Sequence, residues 1–174
     1  MKPLTDSATR SLHWKQMRLF DSTYQLVDGD DVFARLSFPN MFGSLAIAEA
    51  VTGVWTFKRV GFWHTRATVR RQGAESDLAV FEHNTWSGGG TLTLSDGRTM
   101  RITTNFWQSR IEFQWDDDRA LFRYHTEGFM KLGATLELTP SGSTLPELPW
   151  LLAFGWYLVV MIQRDSAAQA GVIG

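Results

Sequence analysis

From Leu12 to about Leu138, apolar and polar residues alternate in short bursts that turn residues interrupt. Ile111, Phe113 and Trp115 fall on one side of an extended chain, and Arg110, Glu112 and Gln114 on the other. Leu132, Ala134, Leu136 and Leu138 oppose Lys131, Thr135 and Glu137, and Ala120, Phe122 and Tyr124 oppose Arg123 and His125. Leu92 and Leu94 oppose Thr91 and Thr93, and Trp55 and Phe57 oppose Thr56 and Lys58. A period of two marks a strand with one dry and one wet face. The separators include Asp28-Gly29-Asp30-Asp31, Pro39-Asn40, Gly53, Gln72-Gly73, Ser87-Gly88-Gly89-Gly90, Asp96-Gly97, Asp116-Asp117-Asp118 and Gly128. Asp-Gly between alternating segments is a hairpin signal. The spacing predicts about twelve strands. Segment 44–52 suits a strand or a short helix, and strand is the preferred reading.

The pattern then changes. Leu148–Ile162 (LPWLLAFGWYLVVMI) is apolar without interruption. A helix that is hydrophobic all round must be buried all round, in protein or in membrane. At 1.5 Å per residue the run is about 22 Å long, whereas a bilayer core asks for roughly 20 apolar residues. The predicted fold class is therefore mainly β: a closed antiparallel barrel of about twelve strands wrapped around a hydrophobic C-terminal helix. Closure removes the exposed edges that so many strands would otherwise leave. Thr144-Leu145-Pro146-Glu147 fits a capping box and predicts a helix over 144–164, with 1–11 loose, 12–138 in strands and 165–174 a small-residue tail. All of this forms one domain. Gly155 in mid-helix costs about 1 kcal/mol against Ala, which a close strand approach would explain.

Composition agrees with a large core. Hydrophobic residues make up 44% of the 174 positions, with 8 Trp and 12 Phe, and net charge is −1. Nothing global predicts nucleic-acid binding, which calls for a strongly basic domain. There is no cysteine, so disulfides, thiolate metal sites, a Cys nucleophile and S-acylation are excluded. The opening MKPLTDSATR lacks the apolar core of a secretory signal. The expectation is a cytoplasmic chain without a transmembrane span, with a peripheral membrane position as the alternative.

Strands followed by one hydrophobic C-terminal helix resemble the tubby C-terminal-like superfamily, which includes tubby, phospholipid scramblase and LURP-one-related proteins. GVWTFKRVGFW (Gly53–Trp63), GGGTLTLSDGR (Gly88–Arg98) and the Leu148–Ile162 helix carry the likeness, over about residues 12–164. It implies a twelve-stranded barrel threaded by a helix. Scrambling and Ca²⁺ binding are not carried over. The acylated cysteines are missing, and the only acidic cluster, Asp116–Asp118, sits in a turn and lacks a Ca²⁺-loop spacing. Tubby proteins hold phosphoinositide head groups with basic strand residues, which transfers only where matching positions are basic and outward.

Lys58, Arg59, Arg66, Arg70 and Arg71 are the candidate anion- or lipid-binding residues. If their strands pair as a hairpin, Lys58, Arg66 and Arg70 converge outside the barrel, where several cations can hold one phosphate-rich head group. A solvated barrel face is the simpler use of the same charges. His13, His64, His83 and His125 lack metal spacing, and His64, beside Phe62 and Trp63, is the one to test first. Glu82 and His83 are adjacent on a strand and so face opposite ways. Ser87–Gly90 reads as a flexible hairpin connection that lacks the lysine and helix start of a phosphate loop. The aromatics Trp55, Phe57, Phe106, Trp107, Phe113, Trp115, Trp150, Phe154 and Trp156 suit a packed lumen better than a ligand cage. No catalytic set, metal site or cofactor motif is predicted. Three functions stay open: a structural or protein-interaction module, an anionic-lipid or phosphoinositide module, and a carrier or enzyme with a site at the barrel mouth. Oligomeric state is not legible.

Overall fold

The computed structural model describes residues 1–4, 11–18, 21–60, 66–84, 89–105, 109–127 and 132–172. Twelve strands follow the chain as an up-and-down meander: β1 (His13–Gln16), β2 (Thr23–Asp28), β3 (Asp31–Ser37), β4 (Ala46–Ala50), β5 (Gly53–Val60) and β6 (Arg66–Arg71), then β7 (Ala79–Asn84), β8 (Gly89–Leu94), β9 (Thr99–Thr104), β10 (Arg110–Trp115), β11 (Ala120–Glu127) and β12 (Gly133–Leu138). Every strand pairs antiparallel with its neighbours in sequence, and β1 closes on β12 through Trp14 opposite Ala134. Segment 44–52 contains β4 and is therefore strand. Turn chemistry sets several hairpins. Gly97 takes φ +90° between β8 and β9, a conformation open to glycine at little steric cost.

A one-turn helix α1 (Pro140–Ser143) and the long helix α2 (Leu148–Val172) complete the chain. Trp150 through Met161 are buried at every position, so α2 has no wet face inside the barrel. The predicted plug is thus the observed one. Trp14 of β1 stacks on Trp156 at 5.7 Å and 4°. Phe57 of β5 meets Phe154 edge-on at 5.4 Å, and Phe38 stacks on Tyr157 at 5.9 Å. Tyr124 of β11 donates its hydroxyl to the Leu152 carbonyl at 2.7 Å and accepts from Trp14 Nε1 at 3.3 Å. A Cβ on Gly155 would lie 2.6 Å from the Tyr124 ring and 3.1 Å from that of Phe113. The close approach expected of a strand is thus made by one aromatic side chain from each of β10 and β11.

The boundaries of α2 differ from the expected 144–164. Thr144 caps the C-terminus of α1, and Leu151 N donates to the Glu147 carbonyl at 3.0 Å, so Glu147 rather than Thr144 precedes the long helix. Thr139 is the N-cap of the Pro140–Ser143 turn, and residues 145–147 separate Thr144 from α2. At the other end Ala167, Ala168, Gln169 and Ala170 continue the helix through the segment expected as a tail, because these are strong helix formers. Alternation also breaks between β10 and β11, where it looked regular. Phe113 opposes Phe122 but Gln114 opposes Ala120, which leaves Leu121 as an extra, fully buried residue. Its carbonyl accepts from Thr139 N, and Gly142 passes over it too closely for any Cβ.

Candidate functional site

Parity in the meander gives the barrel two unlike ends. At the entrance end lie the starts of the odd strands β3, β5 and β9, the ends of β2, β4 and β8, and the first turn of α2. At the exit end α2 leaves the lumen, and the β3–β4 connection touches it. Tyr157 donates its hydroxyl to the Ser44 carbonyl at 2.9 Å, and Arg164 Nη1 donates to that of Gly43 at 3.1 Å.

The five predicted cations are divided between these surfaces. In the β5–β6 register Lys58 opposes Thr68, Thr56 opposes Arg70, and Val60 opposes Arg66. Lys58, Arg66 and Arg70 are exposed on the outer face, as alternation requires. Arg66 lies 3.5 Å from Glu82, and Arg70 donates to Asp77 at 2.6 Å. Lys58 has no carboxylate in ion-pair reach among the described residues. Arg59 and Arg71 belong to the other face, at opposite ends of the barrel. Arg59 pairs with Asp165 of α2 at 2.8 Å, and Arg71 donates to the Thr52 carbonyl at 3.4 Å. Three of the five are thus brought together, and two are not.

Arg59 belongs instead to a polar collar around the departing helix, which the sequence pattern did not reveal. The Arg164 guanidinium lies 4.0 Å from the centroid of the Phe38 ring. Burial pulls its pKa down, opposed by the nearby Tyr24 and Tyr157 phenols, yet a guanidinium stays charged at neutral pH. Burial pushes the Tyr157 phenol well above its usual value, against the pull of Arg59 and Arg164. His83 stands on the lumen-side parity of β7. Partial desolvation, then the Arg59 charge, favours its neutral form. The signal that could have exposed the collar is Arg-Asp directly after the apolar run, where a lumen-filling helix must meet water.

At the entrance end Arg98 bridges Asp96 and Glu147 and lies 5.5 Å from the Trp115 ring centroid. These hydrogen bonds raise its pKa further, first that from Asp96 and then that from Glu147. Glu147 also places negative charge at the positive end of the α2 dipole. On the outer wall Glu112 accepts from Arg123 at 2.6 Å and from Arg110 at 2.7 Å, and Arg123 reaches Glu137 at 3.0 Å. Burial tends to raise the Glu112 pKa, but the two guanidiniums outweigh it and hold the carboxyl below its usual range.

The remaining candidates resolve as structure. Glu82 faces outward to Arg66 while His83 has the opposite parity on β7, so they form no dyad. Asp116 accepts from Thr99, Asp117 from Arg119 and Asp118 from Arg101. No group of three metal-ligating side chains occurs among the described residues. Gly89 and Gly90 are not part of a loose connection. They are buried in β8, where a Cβ would strike the Ile102 and Glu82 carbonyls. Trp55, Phe57, Phe113, Trp150, Phe154 and Trp156 are buried, with Trp115 packed at the margin of the core. Phe62, Trp63, His64, Ser87, Gly88, Phe106, Trp107, Gly128 and Lys131 lie outside the described residues.

Fold and surface together define a class: a closed twelve-stranded barrel filled by its own C-terminal helix. In comparisons with known proteins, no family model, curated protein or solved structure matches the chain. No helix among the described residues is long and apolar enough to cross a membrane.

Proposed function

We propose that the chain is a non-enzymatic module that works through its outer wall and rims, as a structural or interaction domain. The observation that carries this reading is the occupied lumen. Small-ligand barrels keep that space for a guest, whereas here Trp150–Met161 fill it side chain against side chain. The resemblance to tubby-like barrels supports the same reading, since their helix takes the same place. The test is a titration with a fatty acid, read by the near-UV circular dichroism of the stacked Trp14–Trp156 pair. The spectrum is expected to stay unchanged at saturation of any surface binding. A saturable change in it would mean that a guest reaches the lumen, and would overturn the reading.

A second reading has its own support. Lys58, Arg66 and Arg70 share the outer face of one hairpin, with Lys58 opposite Thr68. That arrangement suits an anionic head group. Two of the three cations already face carboxylates, and each such exposed pair contributes only about 0–1 kcal/mol, so an incoming phosphate displaces little.

A further inference from the structure

The two ends of the barrel differ in composition as sharply as in geometry. The segments joining strands at the entrance end, together with 139–147, contain no Phe, Tyr or Trp and eight acids: Asp30, Glu75, Asp77, Asp96, Asp116, Asp117, Asp118 and Glu147. The segments joining strands at the exit end contain one acid, Asp21. Among the described residues, Phe42 is 95% exposed and Met41 54%, with Met17 and Leu45 also open to solvent. Met17, Met41, Phe42 and Leu45, apolar side chains held in water at one rim, mark a surface built to be covered.

We propose that the exit rim docks on the surface of an anionic lipid bilayer, with Met41 and Phe42 entering the interface. The proposal rests on the reading of the chain as a surface-acting module and names the surface and its target. Two observations choose a bilayer over another occupant. Lys15, Arg18 and Lys58 are exposed on the strand ends and connections beside the apolar tips, which is the arrangement that draws a protein to an anionic leaflet. The acid-rich connections lie at the far end, while Asp165 at the exit is paired with Arg59, so an anionic surface repels the entrance end more than the exit end. A second copy seated rim to rim would bring the same cations together and would set two projecting helices against each other.

The test uses the full chain, sedimented with vesicles of phosphatidylcholine alone or with phosphatidylcholine containing phosphatidylserine. Wild type is expected to bind the anionic vesicles, and less as salt rises. Met41→Ser/Phe42→Ser removes exposed side chains only, so it should melt like wild type and bind roughly tenfold or more weakly, given the transfer energy of two large apolar groups. Val51→Ser, at the entrance end and 55% exposed, should bind like wild type. Equal binding by Met41→Ser/Phe42→Ser and wild type would overturn the proposal. So would binding abolished by Lys58→Ala/Arg66→Ala/Arg70→Ala but untouched at Met41 and Phe42, which would assign the lipid to the β5–β6 face. A wild-type chain that stays in solution with every vesicle, as monomer or as dimer, would also overturn it while leaving the filled-lumen reading intact.

Discussion

The Tyr124 hydroxyl is the point at which the barrel wall is tied to the helix backbone. It accepts from Trp14 Nε1 on β1 and donates to the Leu152 carbonyl on α2, and all three residues are buried. Tyr124→Phe keeps the ring that contacts Gly155 and removes only the bridge. The Leu152 carbonyl retains its place in the helical ladder. The Trp14 N–H loses its acceptor at a site that water does not reach, and leaving such a donor unpaired costs about 1–3 kcal/mol. At about 2–4 °C per kcal/mol for a domain of this size, Tm should fall by roughly 2–12 °C. Urea unfolding followed by far-UV circular dichroism measures the same loss, with the m-value unchanged. Trp14→Phe/Tyr124→Phe should then lose less than the sum of the single losses, because the orphaned donor is gone as well. The coupling expected between such neighbours is about 0.5–2 kcal/mol. A Tyr124→Phe protein as stable as wild type, with additive behaviour in the cycle, would refute the idea that this hydroxyl locks wall to plug.

Two further outcomes follow from the same structure. A chain ended after Glu147 vacates a lumen that twelve consecutive buried residues now fill. Cavity costs at that scale exceed the usual total stability of about 5–15 kcal/mol, so the truncated chain should show no cooperative thermal transition, and a compact product that melts sharply would contradict the fold energetics. The Glu112 carboxyl, held below its usual range by Arg123 and Arg110, stabilises the fold above its unfolded pKa of about 4.3, and that contribution is lost as pH falls through its lower folded value. Glu112→Gln should therefore be less stable than wild type at neutral pH, by about 1–3 kcal/mol for two charged hydrogen bonds. The gap should close in acid, and urea midpoints that stay equally far apart from neutral pH down into acid would show that the ion pairs are not its source.

Much of the architecture was legible because it depends on local periodicity. The β10 alternation of Ile111, Phe113 and Trp115 and the unbroken run at Leu148 are each decided within a few residues, and each already states which side must be dry. The outward convergence of Lys58, Arg66 and Arg70 followed from the same parity. The slip at Leu121 could not be read, since a bulge is a relation between β10 and β11 rather than a pattern within either. Nor could the helix limits, because Thr144 caps α1 instead and the chain beyond Asp165 had no breaker to stop α2.

By itself, then, the sequence determined a strand-built shell, an all-apolar helix and the need for one to enclose the other. The tertiary structure alone decided which connections gather at which rim, that Arg59 leaves its neighbours to meet Asp165, and that Met41 and Phe42 stand exposed beside the departing helix. The physical reason is range. Burial preference acts residue by residue along the chain, whereas closure of β1 on β12 fixes positions that are distant in sequence, and no local pattern records where a closed ring will place its turns.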